Sequence, residues 1–241
     1  MEGFLADGVV PEFQFRVTPR RLEAALARPK NVVRRDLLHI ASSIVERVTH
    51  GWGSLDDFVK ENRGDPIAPQ EAEHFIEEYL REHRVPGKLQ VRWAGDLMAG
   101  GRLQEIGPRA EPSKRRVRLW INTKFEGIAH TRSLQAFADH EIGTHALRAL
   151  NDHNQVWAKD RKTYGLHSCG TREGLASEEG LASLNSLLSF HSEKRYLWSA
   201  AMLYYCAVKG EELSFTDLHR HLGKFIKSPV KRYWWVLCVR V

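Results

Sequence analysis

Residues 139–145 read Asp-His-Glu-Ile-Gly-Thr-His, and they sit inside a stretch, Thr131 to about Leu150, whose pattern predicts a helix. His140 and His145 are five positions apart. In a regular α-helix five residues turn through about 500°, which leaves two side chains about 140° apart around the axis. Either the helix winds regularly and the imidazoles diverge, or one turn widens into a π-bulge that brings position i over i+5. Gly143 falls inside the turn that must deform, where its freedom of backbone conformation lowers the cost.

The choice matters because of the residue types involved. Two neutral imidazoles on one divalent ion, with a carboxylate beside them to take a proton from water, are the groups that zinc-dependent hydrolysis requires. The familiar spacing for this chemistry is His-Glu-x-x-His, one residue shorter than here. His140 and His145 are therefore candidate metal ligands, and Glu141 is the candidate catalytic base. A third ligand must come from another element. The stretch Ser177 to Asn185 begins a second helix, and it contains Glu178 and Glu179 followed by Gly180. Gly180 would let this helix approach the first closely while a glutamate turns toward the metal. A short echo complicates the assignment, because Glu173-Gly-Leu-Ala precedes Glu179-Gly-Leu-Ala. Glu173, Glu178 and Glu179 all compete, and Glu173 and Glu178 serve equally well as favourable charges at a helix N-terminus.

Elsewhere the apolar spacing predicts mostly helices. Thr18 and Pro19 open a short one to about Ala27; stripes at three- and four-residue intervals mark Val32 to Val48 and Ala68 to His83; and Ser54 can cap a brief helix carrying Leu55, Phe58 and Val59. After Pro86-Gly87 the period changes to two. Leu89, Val91 and Trp93 predict one strand, and Val117, Leu119 and Ile121 a second, with residues 95–112 as a linker. Residues 151–171 read as a long loop anchored by Trp157 and Tyr164, and further helices are expected over 178–189, 194–208 and 215–226. Tyr233-Trp234-Trp235 suits an apolar lid or packing strand. His167 and Cys169 are polar loop residues, since two ligands do not make a zinc site. The expected fold class is helix-rich α+β, with a helical region over 1–85 and a catalytic region over 86–241.

Composition excludes several alternatives. The 241 residues are 42% hydrophobic with seven Trp, ample for a packed core, so disorder is not the dominant state. No apolar run approaches the roughly 20 residues of a membrane span, and the start of the chain lacks the pattern of a secretory signal. Three cysteines at wide spacing argue against a disulfide framework, and a cytoplasmic location is expected. The formal charge of +6, with patches at Arg34-Arg35, Lys114 to Arg118 and Lys231-Arg232, favours an acidic partner. Nucleic acid is the weaker candidate, because no stacking motif or recognised binding fold supports it.

The segments WINTKFEGIAHTRSLQAFADHEIGTHALRALN, WAKDRKTYGL, SEEGLASLNSLL, YLWSAAMLYY and CVRV, in this order, resemble the microtubule-associated tyrosine carboxypeptidase family and bacterial proteins with a Gln-Glu-Gly-Leu-Ala motif. The resemblance implies His140 and His145 as zinc ligands, Glu141 as base, and Glu179, the residue directly before Gly-Leu-Ala, as third ligand. It implies a zincin-like fold, a small sheet packed on the metal-bearing helix with another helix behind. It also implies removal of a C-terminal aromatic residue from an acidic protein tail, with α-tubulin or microtubules as partner and possible association with the cytoskeleton. Relatives continue beyond the equivalent of Cys238-Val239-Arg240-Val241, so the chain is expected to be truncated there. The strand Val117 to Asn122 is the expected partner of an extended substrate. Arg118, Lys124 and Arg148 are candidates for holding its terminal carboxylate; Tyr164, Tyr204 and Tyr205 read more readily as core than as oxyanion donors. The alternative function is a non-catalytic basic module that holds microtubules or another polyanion, with a vestigial metal site.

Overall fold

The computed structural model describes residues 1–10, 18–20, 23, 33–97, 99–108, 111–166 and 171–240. The short helix expected from Pro19 to Ala27 and the pair His167 and Cys169 fall largely or wholly outside them. No described helix is long and apolar enough to cross a membrane.

The chain divides into two compact units, one formed by Met1–Lys60 with Tyr196–Val241, the other by Glu61–Arg195. This grouping differs from the expected division after residue 85, because helices from the two ends of the chain share one core. The first unit is helical: α1 (Glu2–Asp7), α2 (Leu38–Trp52), most of α3 (Leu55–Asn62), then α8 (Trp198–Glu212), α9 (Phe215–His221) and α10 (Pro229–Arg240). Val45 and Val48 of α2 pack in one cluster with Met202 and Cys206 of α8, Leu218 of α9 and Val236 of α10. Several boundaries move from their expected places. Helix α2 begins at Leu38 and not Val32, and it ends where Gly53 takes a left-handed conformation (φ 80°) that few other residues tolerate. The Tyr233-Trp234-Trp235 run lies in helix α10, with Tyr233 buried, so it is neither lid nor strand. Its aromatic content favours strands, but packing on α8 and α9 overrides that preference.

The second unit carries the small sheet. Its elements are α4 (Pro69–Glu82), β1 (Leu89–Ala94), β2 (Gly101–Ile106), β3 (Arg116–Asn122), α5 (Thr131–His140), a π-turn (Glu141–Ala146), α6 (Leu147–Asp152) and α7 (Arg172–Asn185). The strand order is β1-β3-β2, with β1 parallel and β2 antiparallel to β3. Val117, Leu119 and Ile121, all on one face of β3, are fully buried in a cluster with Ile76 and Tyr79 of α4, Leu134 and Ala138 of α5, Ile142 of the π-turn and Leu150 of α6. The helix-rich α+β class expected from the sequence is observed.

Two expectations about the sheet are corrected. Residues 101–106 are a strand and not part of a linker. The sequence Gly-Arg-Leu-Gln-Glu-Ile has little apolar alternation, and the strand exists because β3 supplies its backbone partners. Moreover, β3 is the central strand with a neighbour on each side, so its backbone has no free edge for a substrate. Among the described residues, the antiparallel edge is β2.

Candidate metal centre

The widened turn is present. Residues Glu141–Ala146 form a π-turn between α5 and α6, and it brings the His140 and His145 rings edge to face with centroids 4.9 Å apart. Their Nε2 atoms face one another at 3.3 Å. Winding a turn around one extra residue disturbs the backbone ladder, and the structure answers this from outside the helix. The Asn185 side chain, one end of α7, donates from Nδ2 to the Asp139 carbonyl at 2.7 Å and to Thr144 Oγ1 at 3.2 Å. Thr144 Oγ1 also donates to that carbonyl, at 3.2 Å. Gly143 makes the approach possible: a Cβ there would lie 2.9 Å from Tyr79 Oη and 3.0 Å from Asn185 Nδ2. Tyr79 in turn donates to Asp139 Oδ1 at 2.9 Å, as does Gln135 Nε2 at the same distance. Burial first, and the Asp139 charge second, push the Tyr79 hydroxyl pKa far up, so it remains a donor.

Asn185 went unrecognised in the sequence, where an asparagine at the end of a helix reads as a cap. Its signal is positional: it follows Glu178 by seven residues, two turns along the same helical face. Replacing it by Leu is expected to lower the stability of the protein by about 1 kcal/mol, since the Asp139 carbonyl loses the shorter of its two donors and keeps only Thr144 Oγ1. Urea unfolding followed by circular dichroism measures this.

Helix α7 delivers the third group. His140 Nε2 lies 3.7 Å from Glu179 Oε2, His145 Nε2 lies 3.6 Å from Glu179 Oε1, and one ligand atom from each of the three residues falls within 4.8 Å of the others. Donors of a tetrahedral ion at about 2.0–2.2 Å lie about 3.3–3.6 Å apart; the two imidazole nitrogens have that spacing, while the two Glu179 contacts use different oxygens of an exposed side chain that has the freedom to close on a metal ion. Glu178, one residue earlier, points elsewhere. Its Oε1 is 2.7 Å from His145 Nδ1 and its Oε2 is 3.0 Å from Arg148 Nε, with only 11% of the side chain exposed. The side chain of Glu173 is outside the described set. Gly180 has open space around it, so the close approach of α7 does not depend on it; the fully buried contact is Ala182, two residues on.

The electrostatics suit ligands and a base. Burial lowers the His140 pKa, the neighbouring His145 lowers it further, and Glu179 and a hydrogen bond with the Ala182 backbone oppose them. A neutral imidazole is the form that binds metal. Burial raises the Glu141 pKa, His145 works against this, and Glu179 adds to it. Glu141 has room because Gly101 of β2 faces it: a Cβ on Gly101 would come within 2.8 Å of Glu141 Cδ and Oε1.

These groups line one cavity of about 610 Å³ in the second unit. Gly101, Leu103, Glu105 and Gly107, alternate residues of β2 and its continuation, form one wall, and His140, Glu141, His145, Arg148, Glu178 and Glu179 lie opposite. Of the three cations weighed for a terminal carboxylate, Arg148 lines the cavity and Arg118 and Lys124 do not. Arg118 hydrogen-bonds Gln90 and lies over the Trp120 ring. Arg115, which the sequence marks only as part of a basic patch, lines the cavity beside Glu105 and pairs with it. Among the tyrosines, Tyr164 is 52% exposed, whereas Tyr205 is buried in the helical unit and Tyr204 bonds the Arg34 carbonyl there.

No family model matches the chain. MATCAP2 of Mus musculus is 30% identical over 229 residues, which are 94% of this chain and 40% of that protein. Microtubule-associated tyrosine carboxypeptidase 1 of Homo sapiens is 30% identical over 205 residues, 84% of this chain and 40% of its own length. The Rattus norvegicus protein of the same name is 29% identical over 203 residues. The chain spans about 40% of the length of these curated relatives.

Proposed function

This chain belongs to the family of the microtubule-associated tyrosine carboxypeptidases, and on that premise we propose that it is a zinc metallocarboxypeptidase removing a C-terminal tyrosine from an acidic protein tail, with α-tubulin as the substrate. The observation that carries the reading is the convergence of His140, His145 and Glu179 within 4.8 Å, beside the half-buried Glu141. His140, His145 and Glu179 would hold the ion. Zinc, when bound, supplies Lewis acidity toward the scissile carbonyl and lowers the pKa of the attacking water. Glu141 takes the proton from that water and returns it to the leaving amine. Its raised pKa, set first by burial, makes it a stronger base than an exposed glutamate.

Substrate geometry follows from the sheet. An extended peptide can add to the free edge of β2 through main-chain hydrogen bonds, as edge strands do in peptide recognition. Its end would then run past Glu141 along the cavity wall. Arg148 and Arg115 offer guanidinium groups for the terminal carboxylate, the pairing in which arginine forms two parallel bonds. The net charge of +6 supports attraction of an acidic tail. With the metal-bearing helix behind a three-stranded sheet, the arrangement supports a zincin-like fold, and the microtubule-associated relatives support work on a cytoskeletal substrate in the cytoplasm.

The test is direct. Protein purified without added chelator is expected to carry one equivalent of zinc, and to release free tyrosine from a glutamate-rich peptide ending in Tyr but none from the C-terminally amidated peptide. Zinc-loaded protein that leaves the free-acid peptide intact overturns the proposal. If that protein still binds the peptide, the basic binding module takes its place.

A further inference from the structure

Glu178 occupies a position that the proposed chemistry leaves without a role. It is one residue before the third ligand, it is almost fully enclosed, and each of its oxygens meets a different partner on the metal-bearing helix. Oε1 is 2.7 Å from His145 Nδ1, and Oε2 is 3.0 Å from Arg148 Nε. A carboxylate only accepts, so the proton on this bond sits on His145 Nδ1. In the neutral ring that assignment leaves a lone pair on Nε2, the atom that faces His140 Nε2 and Glu179.

Consecutive helical residues project about 100° apart. This is how α7 can send Glu179 to the ion and Glu178 behind the imidazole at once. The two glutamates are thus complementary, one for each nitrogen of a single ring. Arg148, three residues after His145, balances the charge of Glu178 as an ion pair at its second oxygen.

We propose that Glu178 is a positioning residue, resting on the metal site read above: it fixes the Nδ1–H tautomer and ring orientation of His145 so that Nε2 is presented to the ion. Outer carboxylates of this kind make a histidine a better ligand, and their loss costs about 10–100-fold in metal affinity.

Two measurements test this on the intact chain. The first needs no metal: nitrogen-15 chemical shifts of the His145 ring, recorded on metal-free protein at a pH where the ring is neutral. Wild type is expected to show the Nδ1–H tautomer and Glu178→Ala to shift to Nε2–H, with Glu178→Gln keeping Nδ1–H because the amide oxygen still accepts. The second is zinc affinity by competition with a chromophoric chelator. Glu178→Ala is expected to bind about 10–100-fold more weakly than wild type, and Glu178→Gln to recover most of the loss. A merely structural role would lower the melting temperature of the metal-free protein without changing the tautomer. Wild-type affinity and an unchanged tautomer in Glu178→Ala overturn the inference and leave the metal site standing; wild type that binds no zinc overturns both. Should Glu178→Ala not fold, Glu178→Asp, whose shorter side chain withdraws the acceptor, carries the same test: an unchanged tautomer and affinity there overturn the inference.

Discussion

Glu141→Gln is expected to retain one equivalent of zinc and to cleave a tyrosine-terminated peptide about 10²–10⁴-fold more slowly than wild type. The substitution keeps the size of the side chain and removes only its capacity to accept a proton. Glu141 is not among the three groups whose atoms converge, so the metal content should not change. Burial raises the pKa of Glu141, and the amide that replaces it cannot accept the proton of the attacking water. Steady-state kinetics with free-tyrosine detection, beside metal analysis of the same preparation, make the comparison. A variant with both metal and full activity would remove Glu141 from the mechanism; a variant that loses metal would make it a ligand.

Gly101→Ala should slow cleavage by about 10²-fold while leaving metal and fold in place, because displacing a catalytic group by about 1 Å costs that much. The new methyl would come within 2.8 Å of both Cδ and Oε1 of Glu141, closer than real contacts allow. The Glu141 side chain is flexible and can turn aside, so the cost falls on its position and not on the backbone. Gly101 is in a regular strand paired with Ile121 of β3, and its φ is not in the left-handed region, so alanine brings no backbone strain. Equal kcat for wild type and Gly101→Ala, at unchanged melting temperature, would show that the carboxylate works from another rotamer. Together the two variants separate the chemistry of the base from its placement.

The spacing of the two histidines already implied the most unusual element of the fold. A five-residue interval in a helix leaves only divergence or a widened turn, and the widened turn is what forms. The competition among the glutamates was not resolvable from residue types. Glu178 and Glu179 are chemically alike, and only the phase of α7 relative to His145 sends one to Nδ1 and the other toward Nε2. Strand β2 was hidden for a physical reason. One row of its side chains lines a polar cavity and the other is largely exposed, so neither row carries the apolar alternation that marks a half-buried strand. Gly180 illustrates the opposite failure, since a glycine suggested tight packing where the structure has open space. Asn185 shows why side-chain support is hard to foresee: its partner is a carbonyl freed by distortion, and the distortion itself must be known first.

The extra residue in the helix also bears on descent. In a π-turn the additional residue is absorbed locally, so its deletion would let the turn close to regular winding while the helix beyond keeps its phase. Ala149 and Leu150, both buried, would stay in the core, and the two histidines would stand at the familiar interval of four. One inserted or deleted residue thus separates the two spacings without rebuilding the core around them.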